Sequence, residues 1–108
     1  MDADAINDLI AERDLEIRKT KSSETRLATV RIGKPEPDPA PGGDWRCAFQ
    51  ITGVDDDAVM FAHGVDAVQA LQLCFQFIGI RLEDLQARGT PLRWLGGKDL
   101  GFPLPDYK

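Results

Sequence analysis

The hydrophobic pattern is strongest between Gly64 and Gly89, where it follows the period of an α-helix. At about 100° per residue, the apolar side chains fall on one arc made of Ala67, Ala70, Leu71, Leu73, Cys74, Phe77, Ile78, Ile80, Leu82 and Leu85. Gln69, Gln72, Gln76 and Glu83 form the opposite, polar stripe. Asp66 stands where an N-cap is expected, and Gly89 stands where a helix ends. The pattern predicts one long helix that covers a sheet.

Upstream of this helix, apolar and polar positions alternate with a period of two, which is typical of half-buried strands. The stretches are residues 14–20, 25–32, 45–52 and 58–63. The clearest is 45–52, where Trp45, Cys47, Phe49 and Ile51 share one side. In 58–63 both alternating sets are apolar, so the pattern does not show which side is buried. We predict four antiparallel strands.

The ends of the chain carry weaker signals. Ile6, Leu9 and Ile10 have helical spacing, so residues 1–12 are expected to form a short helix or a flexible terminus. Residues 90–95 fit a short final strand in which Pro91 suits an edge. Residues 97–108 are predicted to form an extended tail that folds back over the core through Phe102 and Leu104.

Residues 33–44 carry alternating prolines, which remove backbone donors and favour polyproline II. The segment is therefore predicted to be an exposed loop rather than a strand or helix. Two interpretations stay open: a docking segment for a proline-recognising groove, and a stiff spacer. The spacer is favoured because proline-rich connectors are common.

Together these elements predict an α+β fold with two layers. A four-stranded antiparallel meander is covered by one long C-terminal helix, with a short N-terminal helix and a short final strand as additions. The 108 residues fit one domain, 1–108, without a detectable repeat. The second face of the sheet is expected to be exposed or to meet a partner.

Composition and charge narrow the function classes. The hydrophobic fraction of 43% argues against disorder, and no apolar run approaches the about 20 residues of a membrane span. The acidic N-terminus lacks the basic region of a secretory signal, so we expect a cytoplasmic protein. A net charge of −5 disfavours nucleic acid as a partner, although residues 13–34 hold seven bases against three acids.

Candidate chemistry is sparse. His63 is the single histidine, and Cys47 and Cys74 both lie on predicted inward faces, where we expect a reduced pair across the helix–sheet interface. The Asp55–Asp57 cluster lacks the spacing of a calcium loop, and Gly96-Gly97-Lys98 lacks the spacing of a phosphate loop. We therefore predict no catalytic residues, no cofactor and no metal, and a protein that is not an enzyme.

Two candidate sites remain. Arg81 lies within the apolar arc and Val68 and Phe75 lie at its flanks. With Trp45 and Trp94, these residues are the candidate association surface, although flank residues often only seal a core. The alternative is a small-molecule pocket between sheet and helix, formed by Arg46, His63, Asp66 and Arg81.

Five sequence blocks together resemble a family of small bacterial domains of unknown function: RIGKPEPDP, DWRCAFQITG, HGVDAVQALQL, PLRWLGG and LGFP. The resemblance covers roughly residues 10–104. It implies a bacterial, intracellular, single-domain protein. Because the family carries no assigned activity, it supplies no functional residues.

The leading hypothesis is a non-enzymatic interaction domain that binds another protein or a second copy of itself as a homodimer. An acidic inhibitor or immunity-type binder of a basic target is its concrete form. The first alternative is a small-molecule-binding protein or weak enzyme that uses His63 and Asp66. The second is weak nucleic-acid binding through the basic hairpin of residues 13–34.

Overall fold

The computed structural model describes residues 6–18, 25–40 and 42–104. These residues form six strands and one helix: β1 (Leu9–Arg18), β2 (Thr25–Gly33), β3 (Glu36–Pro37), β4 (Trp45–Thr52), β5 (Met60–Gly64), α1 (Ala67–Ala87) and β6 (Leu92–Arg93). The expected α+β class with an antiparallel sheet is confirmed, but the sheet has six strands rather than four. The helix is followed by β6 and a tail, so it is not the last element.

All strand pairs are antiparallel, and they place β5 at one edge of the sheet and β6 at the other. Phe49 on β4 is opposite Ile32 on one side and Met60 on the other. Farther along β4, Arg46 is opposite both Glu36 and His63. Strands β2 and β3 therefore follow one another along the same side of β4, and β5 lies along the other side.

Local signals at both ends of α1 act as the sequence predicts. The Asp66 carboxylate accepts a hydrogen bond from the Gln69 N–H at 2.8 Å, and the Gln69 side chain accepts the Val65 N–H at 2.7 Å. Gly89 follows the last turn with a φ of 102°, in the left-handed region that favours glycine. The Asp66 and Gln69 side chains thus satisfy two N–H groups at the start of the helix, which begins three residues after the last residue of β5.

The core lies between α1 and one face of the sheet. Its largest fully buried side chains are Leu15, Val30, Cys47, Cys74, Ile78, Leu82 and Leu92. Cys47 of the sheet and Cys74 of the helix are free thiols buried in the same core, which agrees with the predicted reduced pair. The neighbouring Cys47 thiol and burial raise the pKa of the Cys74 thiol, so this sulfur stays protonated.

The expected N-terminal helix is wrong for the described part of residues 1–12. Leu9 to Glu12 belong to β1, where Ala11 is opposite Ile32 of β2 after a bulge between Leu9 and Ala11. A helix of this length is marginal by itself, whereas a strand here adds backbone hydrogen bonds to an existing ladder. Residues 1–5 and the predicted connection at 21–24 lie outside the described residues.

The proline-rich segment is not entirely a loop, so the prediction that residues 33–44 contain no strand is wrong at two residues. Glu36 and Pro37 pair with Arg46 and Trp45 of β4 as a two-residue edge strand. The next pair is hydrogen-bonded, because the Asp38 N–H donates to the Asp44 carbonyl at 3.1 Å. By alternation, Pro37 occupies a non-hydrogen-bonded position, where its missing N–H costs nothing.

The end of the chain closes the β1 side of the sheet. Leu92 and Arg93 pair with Ile17 and Glu16, as the predicted final strand requires. The tail then folds back so that Leu100 is buried and Phe102 packs against the core, while Leu104 stays half exposed. Residues 105–108 lie outside the described part of the chain.

The apolar arc of α1 is wider than the face that the sheet covers. The buried helix residues are Ala70, Cys74, Ile78, Gly79, Leu82 and Leu85. Phe77 and Ile80, which the periodicity placed on the buried arc, are exposed by 42% and 37%. The arc prediction is therefore wrong at these two positions, because β5 ends the sheet before it extends beneath them.

Candidate functional site

Strand β5 has a free edge on the side away from β4. Within the described chain, no strand pairs with this side of β5. The direction of its backbone groups follows from the ladder. Because the Asp38–Asp44 pair is hydrogen-bonded, Arg46 points its N–H and C=O toward β3, and its neighbours Trp45 and Cys47 point theirs toward β5.

The same alternation assigns the backbone groups of β5. Ala62 and Gly64, which are opposite Cys47 and Trp45, direct their N–H and C=O groups to β4. Phe61 and His63 therefore direct theirs outward, away from the sheet. The next outward N–H, that of Val65, is already bonded to the Gln69 side chain. The open edge consists of the backbone of Phe61 and His63.

Apolar side chains flank this open edge. Met60, Phe61, Phe77 and Ile80 are exposed by between 37% and 42%. With Phe49, Arg81 and Asp84 they line an open groove of about 650 Å³ between β5 and α1. We call Met60, Phe61, Phe77 and Ile80 the apolar edge patch. Exposed apolar side chains that cluster beside an unpaired strand are typical of interaction surfaces.

The side chains on the outer face of β5 are held in place by the neighbouring strands. The Arg46 guanidinium stacks on the Phe61 ring at 4.3 Å from its centroid and pairs with Glu36 at 2.7 Å. His63 Nδ1 lies 3.0 Å from a carboxylate oxygen of Asp38. The Ala40 N–H and, to a smaller extent, His63 lower the pKa of Asp38, so this carboxylate is favoured in its charged form. The proline-rich segment thus positions the outer face of β5.

The rim of the groove is acidic. Arg81 is bound by both oxygens of Asp55, at 3.0 and 2.8 Å, and lies 3.6 Å from Asp84. The Asp56 N–H and the Arg81 guanidinium hold the pKa of Asp55 below its usual value. Among the described residues, Asp56 and Asp57 have no ion-pair partner and cap the N–H groups of their own turn. Arg81 therefore holds the acidic Asp55–Asp57 turn beside the groove that it lines.

The four residues of the predicted pocket do not form one site. Arg46 and His63 are cross-strand neighbours, but their side chains bind Glu36 and Asp38. Asp66 caps the helix. Arg81 lies about four turns farther along α1 and binds Asp55. A cleft that Arg46 lines, with Ile6, Gly33, Ala48 and Phe61 among its walls, does not include His63 or Asp66.

The residues of the predicted association surface are also spread over the molecule. Trp45 and Phe75 are half-buried against the core, and Phe75 contacts Phe102 with ring centroids 6.3 Å apart. Trp94 follows β6 at the far edge of the sheet. Val68 is exposed by 64% in the first turn of α1. Only Arg81 lines the groove beside the apolar edge patch.

Sequence reasoning missed Met60, Phe61, Phe77 and Ile80 as surface residues. A signal was present, because strand 58–63 is apolar on both alternating sides while an edge strand has only one buried face. Helical periodicity could not separate Phe77 and Ile80 from the core. Their exposure depends on where the sheet ends, which is a tertiary feature.

The basic residues of the 13–34 hairpin do not form one positive surface in the described residues. Arg13 stacks on Trp94 at 3.7 Å from the ring centroid. Arg31 binds Glu12 at 3.2 Å, and Arg18 lies 3.5 Å from Glu16. Lys19 and Lys21 lie outside the described residues.

The described residues contain no group of three or more His, Cys, Asp or Glu side chains placed to hold a metal ion. In the same residues, no helix has both the length and the apolarity of a membrane span.

Comparison with known protein families gives a match over most of the chain. A family model described as a domain of unknown function, DUF6968, matches residues 11–104. No curated protein and no solved structure shows significant similarity to the chain. The match confirms the resemblance to a small domain of unknown function and spans all the described strands except the first residues of β1. The chain belongs to the DUF6968 family.

Proposed function

We propose that this chain is a non-enzymatic protein-interaction domain. The observation that carries the proposal is the apolar edge patch, where four large side chains are exposed together beside an unpaired strand. Exposing such a cluster to water is unfavourable, and burying each side chain yields about 1.5–3 kcal/mol at most. Since each side chain is exposed by between 37% and 42%, a protein partner that covers the patch gains only the corresponding part of this free energy from each.

Charge supports a basic target. Asp84 lines the groove, Arg81 of the same lining binds Asp55 of the neighbouring acidic turn, and the chain has a net charge of −5. Opposite charge on a partner speeds encounter and selects among candidates, although it adds less to affinity than apolar burial does. An inhibitor or immunity-type binder of a basic protein is the concrete form of this function.

The alternatives receive less support. A ligand pocket would need Arg46, His63, Asp66 and Arg81 to converge, whereas each has its own structural partner. Nucleic-acid binding would need several basic side chains without acidic partners on one surface, whereas Arg18 and Arg31 are paired with glutamates. Self-association stays a version of the leading proposal, with light scattering as its direct measurement.

The test is a binding experiment with matched surface variants. The wild-type protein, the Phe77→Ser/Ile80→Ser double variant and the Val68→Ser control are immobilised, and candidate basic proteins are passed over each. Val68 is an exposed apolar residue of the same helix outside the patch. We expect binding to the wild type and the control, and its loss with the double variant. If all three proteins have native circular dichroism spectra and bind equally well, the apolar edge patch is not the binding surface.

A further inference from the structure

We infer that the open edge of β5 receives an extended, basic segment of another protein as an additional strand. This inference rests on the proposed interaction function and specifies its mode. The backbone of Phe61 and His63 supplies the hydrogen bonds, and the apolar edge patch supplies pockets for alternate side chains.

The backbone of the open edge can bind a strand. Two outward residues, Phe61 and His63, present four polar backbone groups that the sheet does not use. An extended peptide can pair with both, as in strand addition to other sheet edges. The Val65 N–H is already taken by Gln69, so the added strand ends there.

Side chains on both faces fit an added strand. On the helix side, Met60, Phe77 and Ile80 form an apolar floor beside the edge. On the outer side, Phe61 lies under the Arg46 guanidinium and presents its ring. A strand laid along β5 would therefore place apolar side chains on the helix side at every second position.

Charge selects the occupant and disfavours a second copy of this chain. In two copies paired antiparallel around Phe61–His63, residues Asp55–Asp57 of each copy would approach Asp66 of the other. None of Asp56, Asp57 and Asp66 has an ion-pair partner in the described structure, so this arrangement brings like charges together. A segment with lysine or arginine near the Asp55–Asp57 turn meets opposite charge instead.

The other sheet edge is a weaker receptor. Outward groups of β1 at Glu12 and Asp14 lie beyond the two residues paired with β6. Charged side chains and the bulge between Leu9 and Ala11 interrupt this edge, which is a common protection against strand addition. The groove of exposed apolar side chains lies at β5.

The probe for the test is a short peptide selected from a random phage-displayed library against the wild-type protein and then synthesised. We expect net positive peptides with apolar residues at alternate positions. On binding, hydrogen exchange should slow at the amides of Phe61 and His63. N-methylation of alternate peptide residues should weaken binding about tenfold or more in one frame and leave it nearly unchanged in the other, because only one edge of the peptide faces β5.

A matched pair of protein variants tests the same hydrogen bond from the other side. His63→Pro removes the outward N–H without removing a bond to β4, whereas His63→Ala keeps that N–H and loses the same side-chain contact with Asp38. We expect His63→Pro to weaken peptide binding about tenfold and His63→Ala to change it little. Equal effects of the two variants would overturn strand addition.

Further outcomes separate the mode from the function. Slower exchange at Glu12 and Asp14, equal binding by both N-methyl frames, acidic selected peptides, a concentration-dependent dimer by light scattering, or no selected peptide would each overturn the strand proposal. The interaction function would still stand if the Phe77→Ser/Ile80→Ser variant lost a protein partner that Val68→Ser retained. It fails if that pair shows no difference.

Discussion

At the β6 edge of the sheet, the chain uses its own residues to cover backbone and side chains, whereas at the β5 edge it leaves both exposed. The Leu92 N–H of β6 donates to the Thr90 carbonyl, and the Leu92 carbonyl accepts from the Gln86 side-chain amide. Trp94 and Gly97 exchange two backbone hydrogen bonds. The Phe61 and His63 backbone groups have no such partners in the described residues. At one edge of the sheet the chain satisfies the outward backbone groups with its own residues, whereas at the other edge it leaves them for another molecule to bind.

The tail strengthens the closed edge further. Arg13 stacks on Trp94 and lies 5.0 Å from the Phe102 ring centroid, and it donates to the Leu100 carbonyl at 3.0 Å. One planar cation therefore joins β1 to two tail aromatics. The β5 edge has a comparable stack, in which Arg46 lies on the Phe61 ring. This ring stays exposed by 39%, so the stack does not seal the core.

The largest expected difference between the edges is in stability. Leu92→Ala should lower the free energy of unfolding by about 2–5 kcal/mol, because it removes a fully buried side chain and leaves a cavity. Met60→Ala at the open edge should cost about 1 kcal/mol or less, since water already reaches that side chain. Urea denaturation of both variants measures the difference. Similar losses would show that the β5 edge is packed in solution.

The next effect concerns the junction of the open edge with the helix. A Cβ at Gly64 would overlap the backbone of Gln69 and Ala70, so Gly64→Ala must push α1 away from β5. We expect a loss of about 1–3 kcal/mol in stability. Gly89→Ala is a control for substitution of a glycine with open space, although its positive φ adds strain. Thermal unfolding with unchanged stability in Gly64→Ala would contradict this close approach.

A smaller effect is expected from the cation of the closed edge. Arg13→Ala should cost about 1–2 kcal/mol, because it removes the stack on Trp94 and a hydrogen bond to Leu100. Arg13→Lys should recover only part, since an ammonium cannot stack as a planar group. Hydrogen exchange should quicken at the tail and stay unchanged at β5. Faster exchange at both edges would show that they are coupled.

The smallest effect is electrostatic and depends on pH. The pKa of Asp55 is lower in the folded protein than its ordinary value of 3.8, so its charged form favours folding above that pH. Asp55→Asn should therefore be slightly less stable than wild type at neutral pH. This difference should disappear as the pH falls below 3.8 and the folded carboxylate becomes protonated. Urea denaturation of both proteins at neutral pH and below pH 3.8 measures this difference in the free energy of unfolding. A difference that grows in acid would contradict a lowered pKa for Asp55.

The sequence predicts most of the local structure because periodicity and capping are local properties. The helix bounds follow from Asp66 and Gly89, and strand β4 follows from the alternation of Cys47, Phe49 and Ile51. The Cys47–Cys74 pair follows from the two inward faces together. Each of these features depends on neighbours within a few residues or on one layer facing another.

The features that were missed depend on contacts between distant segments. Strand β1 begins at Leu9 because β2 provides partners, and Pro37 joins the sheet because its position in the ladder needs no donor. The spacing of Ile6, Leu9 and Ile10 fits a helix equally well. Likewise, nothing in the sequence states that Phe77 and Ile80 lie past the end of the sheet.

The hydrogen bond from the Val65 N–H to the Gln69 side chain has a kinetic consequence. It stops the accessible ladder after His63, so a visiting chain can register over only a few residues. Short registers form quickly and separate quickly, and interfaces at the small end of the size range are typically transient. In the proposed mode of binding the complex would therefore be short-lived, and a long-lived one would need a second contact or a tether that keeps the two molecules together.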